Sequence, residues 1–475
     1  MYRCPNNSAM PHQNGPTPLT SLLWLILLKL ILRGSVTEPP VIPECKGVSH
    51  KVLPGESLCT IGAKYGVSVE QLLAENPQIT DPGAIRAGQI ICIPCLGTVY
   101  TVKPGDSLWT IALAFGIPLD KLIDANPQIT DPDVVHPGQV ICVPEISRKV
   151  SLTYLFGATS AQYLNMLAKT QGSINTVCPD YFDIDNNGNL ILAGANKLNR
   201  PFLDALHEQG IRAVPFISNH FNRELGVTAL NNRNRLSDQL AAAVKEYGLD
   251  GVDIDIENVT HEHRDMYTDF ARLLREKLPA DKIVSSAVAA NPRGFTVGWH
   301  GSYDYKSLSK YCDYLMIMNY DEHYFGGPEG PISSSSFFEG SIQYALNQGV
   351  PEDKIVSGIP FFGRYWKQGE STSGVGLAGR DVEYLIANYT SSHYFDVATQ
   401  SARAIVTIKP NEPEPEIWGG RKMTPGTYHI WYDSPEATRF KLETINKYGL
   451  LGAGSWALGQ EILSIWDFYT QALNK

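Results

Sequence analysis

The chain has 475 residues, 43% of them hydrophobic and 19% charged, an ordinary globular composition long enough for about two to four domains. Its net charge of −10 excludes a nucleic-acid partner held by bulk positive charge, and it means that any anionic partner must be gripped at specific sites.

The first 47 residues read as a leader. Residues 22–28 are apolar, Lys29 interrupts them, and residues 30–32 follow before Arg33. The run is too short and too broken for a membrane span. Export signal, retained anchor or neither all stay open, because the run starts late, behind a polar leader, and no small-x-small cleavage site follows it.

Residues 48–95 and 98–145 are two copies of one unit. Val52-Leu53-Pro54-Gly55-Glu56-Ser57-Leu58 recurs as Val102-Lys103-Pro104-Gly105-Asp106-Ser107-Leu108, and Asn76-Pro77-Gln78-Ile79 recurs as Asn126-Pro127-Gln128-Ile129, always at an offset of 50. Each copy predicts strand, Pro-Gly turn, two helices, Asn-Pro loop, strand. The first helix starts at a Ser cap and carries Ile61 and Tyr65 (Ile111 and Phe115) four apart. Two units are too few for a solenoid, so each is an independent βααβ module.

These motifs resemble LysM domains, which bind polymers containing N-acetylglucosamine. The resemblance implies glycan contacts at Gly55, Glu56 and Ser57 with Asn76, Pro77, Gln78 and Ile79. In the second module they are Gly105, Asp106 and Ser107 with Asn126, Pro127, Gln128 and Ile129. Cys59 departs from the second module, which has Trp109 there. Cys92-x-x-Cys95 has no second Cys pair or nearby His to make a zinc site. Cys92 and Cys142 hold equivalent places and read as core thiols. Cys45 and Cys95 flank the first module's strands and are candidates for a disulfide, which needs an oxidising compartment.

From residue 148 to 475 short apolar runs alternate with helical stretches. The runs are 150–156, 174–178, 211–217, 251–257, 283–289, 314–318, 355–359 and 452–456. Continuous apolar runs are what buried parallel strands look like. Eight of them predict an α/β fold, a (β/α)8 TIM barrel, with an α+β insertion after strand 7 at about residues 365–430, where Ser, Gly, Glu and Pro accumulate. Cys178 and Cys312, in apolar runs, read as core thiols.

The fourth run reads Asp250-Gly251-Val252-Asp253-Ile254-Asp255-Ile256-Glu257. Side chains alternate along a strand, so three carboxyls share one face and three β-branched residues the other. Crowded, buried carboxyls shift one another's pKa upward, and such a group can act as a general acid near neutrality. A metal site using His261 and His263 is the rival reading, but Glu262 and the residues after it look like a helix start. No metal and no cofactor are expected.

Asp250-x-x-Asp253-x-Asp255-x-Glu257 resembles the DxxDxDxE signature of family 18 glycoside hydrolases, the chitinase-like enzymes. Met318-Asn319-Tyr320-Asp321 resembles that family's M-x-Y-D strand end, and Gly454-Ser455-Trp456 its last strand. The resemblance implies that Glu257 is the general acid, that Asp255 and Tyr320 hold the substrate's acetamide, and that Asp253 hydrogen-bonds Asp255. It implies that Trp456 stacks under the sugar, with Asp321 and Asn319 as further substrate contacts. Tyr181, ending the second run, is a subsite candidate, and Asp250 is as well read as structural. Paired LysM modules ahead of such a barrel resemble bacterial spore-cortex and cell-wall N-acetylglucosaminidases. The expectation is a monomeric, retaining, substrate-assisted enzyme on peptidoglycan, located outside the cytoplasm at the wall or spore, with no protein partner implied. A chitinase and a catalytically silent glycan-binding protein are the alternatives.

Overall fold

The computed structural model describes residues 45–474, apart from 116, 118, 145–148, 193–199, 371 and 372. The apolar run at residues 22–32 lies outside the described residues. Among the described residues no helix is long and apolar enough to cross a membrane. The chain divides into two compact units, residues 1–147 and 148–475.

Each repeat in the first unit is a two-stranded antiparallel ribbon with two helices between its strands. Val48–Lys51 pairs with Ile90–Ile93, and Gly97–Thr101 pairs with Val140–Pro144. The Pro-Gly turns need φ of +89° at Gly55 and +91° at Gly105, conformations open to glycine. Ser57 accepts the Thr60 N–H at 3.2 Å and so caps the helix Leu58–Tyr65, whose Leu58 and Ile61 pack with Leu72 and Ile91 into a small core. Leu108, Ile111, Leu122 and Ile141 repeat that core in the second module.

The disulfides are Cys45–Cys92 and Cys95–Cys142, each spanning 47 positions. This corrects two expectations: Cys45 does not meet Cys95, and Cys92 and Cys142 are bridged. The antiparallel register sets Val48 opposite Ile93, which brings the segment leading into the first strand alongside Cys92. Cys95 enters the second module as Cys45 enters the first, so the offset of 50 that relates every other motif also relates the two bridges. Cys59 is bridged as well. Cys178 and Cys312 are free and buried.

A loop of 47 residues closed by a disulfide stabilises by about 4 kcal/mol on the chain-entropy account. Reductant is therefore expected to lower the melting temperature of the N-terminal unit while leaving the barrel transition in place. Calorimetry of the full chain with and without dithiothreitol checks this, and an N-terminal transition unmoved by reductant would contradict it.

In the second unit the barrel strands are Val150–Leu155, Thr176–Pro179, Arg212–Ala213 continued as Phe216–Ser218, Gly251–Asp255, Ile283–Ala289, Tyr314–Met318, Ile355–Pro360 and Gly452–Trp456. All neighbouring pairs are parallel, and the last strand pairs with the first. The third strand closes the ring in two pieces around Pro215. Its first half pairs with strand two, its second half with strand four, and the Asp253 N–H donates to the Pro215 carbonyl at 2.9 Å across the break. Two apolar layers result. Leu152, Tyr154, Phe216, Met316 and Val356 fill the barrel. Val252, Ile254 and Ile256 pack outward against the surrounding helices. The alternation read in the sequence is thus resolved in space: the carboxyls of Asp253 and Asp255 face the barrel interior.

The insertion is a five-stranded antiparallel sheet in the order Val375–Ala378, Phe362–Lys367, Gly426–Tyr432, Ser401–Ile408, Thr390–Asp396, with the helix Gly379–Asn388 and a hairpin of Glu416–Ile417 and Arg421–Lys422. It begins at Phe362, before the polar stretch. Its first strand is rich in aromatic residues, so composition does not mark the edge.

Candidate active site

Asp253 is fully buried and accepts hydrogen bonds from the Tyr154 hydroxyl at 2.7 Å and the Ser285 hydroxyl at 2.6 Å. Burial raises its pKa to about 6, against the pull of those two donors. Asp255 stands one pleat nearer the mouth, beside Ser218 of strand three. Burial, then the charges of Glu257 and Asp253, hold its carboxyl well above the usual range, opposed by a hydrogen bond from Ser218. Its Oδ1 is buried without a hydrogen-bond partner among the described residues. Among the described residues no hydrogen bond joins Asp253 to Asp255; the Tyr154 and Ser285 hydroxyls donate to the two oxygens of Asp253. The carboxyls interact through charge instead.

Glu257 lies just beyond the strand. Its backbone is clamped by Asn219: the Glu257 N–H donates to Oδ1 at 2.8 Å, and Nδ2 donates back to the Glu257 carbonyl at 2.8 Å. Burial, and next the charge of Asp321, push its carboxyl up to about 7. That places a half-buried acid at neutrality, where it can give up a proton and regain it.

Tyr320 and Asp321 follow strand six. Asp321 holds φ +59° and is gripped by Arg364 of the insertion, Nε to Oδ1 at 2.8 Å and a terminal nitrogen to Oδ2 at 2.9 Å. Trp456 ends strand eight and packs against the rings of Tyr154 (centroids 5.4 Å apart) and Phe156 (5.8 Å). Asp255, Glu257, Tyr320, Asp321 and Trp456 all line one cavity of about 830 Å³ at the barrel mouth. Residues from several different strands converge on it.

Other expected residues lie elsewhere. Asn319 is fully buried and donates to the Phe338 carbonyl at 2.9 Å and the Ser357 hydroxyl at 3.2 Å, so it braces the barrel and does not face the cavity. Tyr181 is also buried, in the layer between strands and helices. After strand two the chain turns at once into the hairpin strand Phe182–Ile184, which pairs with strand three. Asp250 sits at the far end of strand four, accepting the Ala213 N–H at 2.8 Å and pairing with His207 at 2.8 Å, a structural tie. His261 accepts the Gly298 N–H, His263 bonds Thr260, and no group among the described residues could hold a metal ion.

In the modules, Asn76 is fully buried. It donates to the carbonyls of Leu72 (2.7 Å) and Cys92 (2.6 Å) and accepts the Cys92 N–H (2.8 Å), and Asn126 does the same with Leu122 and Cys142. These asparagines pin loop to strand, and their side chains are buried. Glu56 and Asp106 close their turns on the N–H groups of Leu53 and Lys103, both at 2.7 Å. Ser57 and Ser107 cap helices. Pro77 and Gln78 are exposed and Ile79 is half-buried. A hollow of about 400 Å³ in the second module is lined by Gln128, Ile129 and His136, among others.

Sequence reasoning missed Asn219, Ser218, Tyr154, Ser285 and Arg364. Four of them reach the acid ladder from other strands, and Arg364 reaches Asp321 from the insertion. Ser218, Asn219 and Tyr154 carried a local signal, by lying at or near strand ends.

The profile of Glycosyl hydrolases family 18 matches residues 214–461, and that of the LysM domain matches residues 50–94 and 100–144. The uncharacterized glycosylase YvbX of Bacillus subtilis (strain 168) is 24% identical over 328 residues, 67% of this chain and 89% of that one. The cortical fragment-lytic enzyme of the same organism is 23% identical over 302 residues, 62% of this chain and 66% of that one. The crystal structure of the Bacillus cereus spore cortex-lytic enzyme SleL superposes with a TM-score of 0.59 at 21% identity, covering 89% of this chain and 97% of that one.

Proposed function

The chain belongs to Glycosyl hydrolases family 18, with two LysM domains ahead of its barrel, and on that premise we propose that it cleaves β-1,4 bonds after N-acetylglucosamine in peptidoglycan of the cell wall or spore cortex. The carrying observation is Glu257, an acid poised near 7 over a cavity floored by Trp456. Glu257 gives its proton to the glycosidic oxygen. The attacking group is the substrate's own acetamide, oriented by Asp255 and Tyr320. This family is a known exception to the scheme with a carboxylate nucleophile. Arg364 holds Asp321 in a bidentate pair, which leaves it poorly placed to serve as nucleophile. The polymer preference draws on the LysM pair and on a relative named for lysis of cortical fragments. The disulfides favour a location outside the cytoplasm. Incubation with purified peptidoglycan and with chitin, followed by assay for new reducing ends, tests this. Release from chitin alone would make the protein a chitinase, and release from neither a silent binder.

Acid catalysis needs the proton on Glu257, whose folded pKa is about 7. Turnover of a short soluble glycan is therefore expected to fall about ten-fold per pH unit above that value. The acid limb belongs to the coupled carboxyls together and to no one of them. A profile still rising at pH 9 would exclude Glu257 as the acid.

Removal of residues 1–147 is expected to leave cleavage of short soluble glycans nearly intact. Activity on insoluble wall falls about ten-fold or more, since two weak modules on one chain act through effective concentration. Equal loss on both substrates would mean that the modules support the barrel fold.

A further inference from the structure

The cavity wall carries two cations that the chemistry above does not use. Arg364 is neutralised by Asp321. Asp255 and Glu257 line the same cavity, where burial raises the proton affinity of both. Glu322 accepts the Ser334 N–H at 2.7 Å at the start of the helix Ser335–Asn347. Arg293 and Arg421 remain, both exposed and both lining the cavity. Arg293 has no hydrogen bond or ion pair among the described residues. Arg421 touches the Tyr365 hydroxyl and has no carboxylate partner among them.

Both side chains stand on built turns. The buried Asn291 fixes the loop after strand five, donating to the Phe295 carbonyl at 2.9 Å and accepting the Phe295 N–H at 2.8 Å, with Gly294 at φ +68°. That turn presents Arg293. Arg421 follows Gly419 and Gly420, at φ +80° and +75°, which turn the insertion's hairpin. Two guanidinium groups at one cavity without a carboxylate partner among the described residues are unusual in a chain of net charge −10. A neutral polysaccharide offers them no counter-charge. A guanidinium fork matches a carboxylate bidentately.

We propose that Arg293 and Arg421 bind carboxylates carried by sugars of the glycan lying in the cleft, so that the cleft selects an anionic wall glycan over a neutral one. This rests on the peptidoglycan reading and narrows it to glycan whose muramic sugars keep a carboxylate, either on the lactyl ether or on an attached peptide.

The test uses the full chain and four tetrasaccharides: peptide-free wall glycan, the same glycan with its carboxyls reduced to alcohols, peptide-bearing glycan, and the N-acetylglucosamine tetramer. Wild type is expected to cleave a carboxylated glycan with kcat/KM about ten-fold or more above the reduced one, chiefly through KM, as loss of a charge-assisted hydrogen bond implies. The preferred carboxylated glycan, peptide-free or peptide-bearing, identifies the source. In Arg293→Met with Arg421→Met the ratio falls toward one, and Arg293→Lys with Arg421→Lys recovers part of it. Added salt narrows the wild-type ratio. Equal cleavage of carboxylated and reduced glycan by wild type would overturn the proposal and leave the peptidoglycan reading standing. An unchanged ratio in the Met variants would do the same. Cleavage of the N-acetylglucosamine tetramer alone would overturn both.

Discussion

Glu257→Gln is expected to lower turnover by roughly 10²–10⁴-fold on soluble glycan, with little change in KM. The substitution keeps size and hydrogen bonding and removes the transferable proton. Its fold should not suffer, because the Asn219 clamp grips the backbone of residue 257 and not its side chain. The sign of the stability change follows from linkage. The folded carboxyl titrates at about 7 and an ordinary one at 4.5, so the folded state holds a proton that the unfolded state has released. Stability is therefore lost as pH rises through that window, by at most about 3 kcal/mol. Glutamine has no proton to lose, and at pH 8 the variant should melt at or above the wild type. A variant that keeps more than about a tenth of wild-type turnover would remove Glu257 from the role of acid. A variant that loses turnover and melts well below wild type would make the residue structural.

The second large effect is on the substrate. If the acetamide attacks the anomeric carbon, glycan lacking the N-acetyl group at the sugar before the cut should bind and scarcely turn over. Intramolecular delivery supplies the proximity that an enzyme nucleophile otherwise would, and such effects commonly exceed about 10²-fold. Asp255 suits the orienting task. It lines the cavity, it is buried, and its Oδ1 lacks a partner among the described residues. A protonated Asp255 can donate to the acetamide, and Tyr320 faces the same space. Retention follows from two inversions. Proton NMR of the first product, recorded before mutarotation, should show the β-anomer. A thiazoline mimic of the cyclic intermediate should inhibit far more tightly than the product sugar. An α-anomer from the β-linked chain would rule out substrate assistance and turn attention to a direct attack by water.

Much of the site is legible in the amino-acid order. The period-two spacing of Asp253, Asp255 and Glu257 is a property of extended backbone, and it holds because Val252, Ile254 and Ile256 have helices to pack against. Strand-end positions for Tyr320 and Trp456 come from where apolar runs stop. The two modules are visible as a repeat, since the same local sequence makes the same turn and cap twice. Applied to cysteine, the same offset pairs the bridges correctly; flanking position is the wrong guide.

What the amino-acid order alone determined about this protein is what depends on near neighbours: strand period, helix caps at Ser57 and Ser107, glycine turns, and the acid ladder. What only the tertiary structure decided is which side chain is covered and by whom. Asn319 and Asn76 look as available in the sequence as Tyr320 and Gln78, yet distant segments bury the first pair. Tyr154 reaches Asp253 across 99 positions, and Arg364 reaches Asp321 across 43. Burial raises the proton affinity of Asp253 while the Tyr154 hydroxyl opposes it, and the Arg364 fork fixes where the Asp321 carboxylate stands; these effects act through space without regard to distance along the chain.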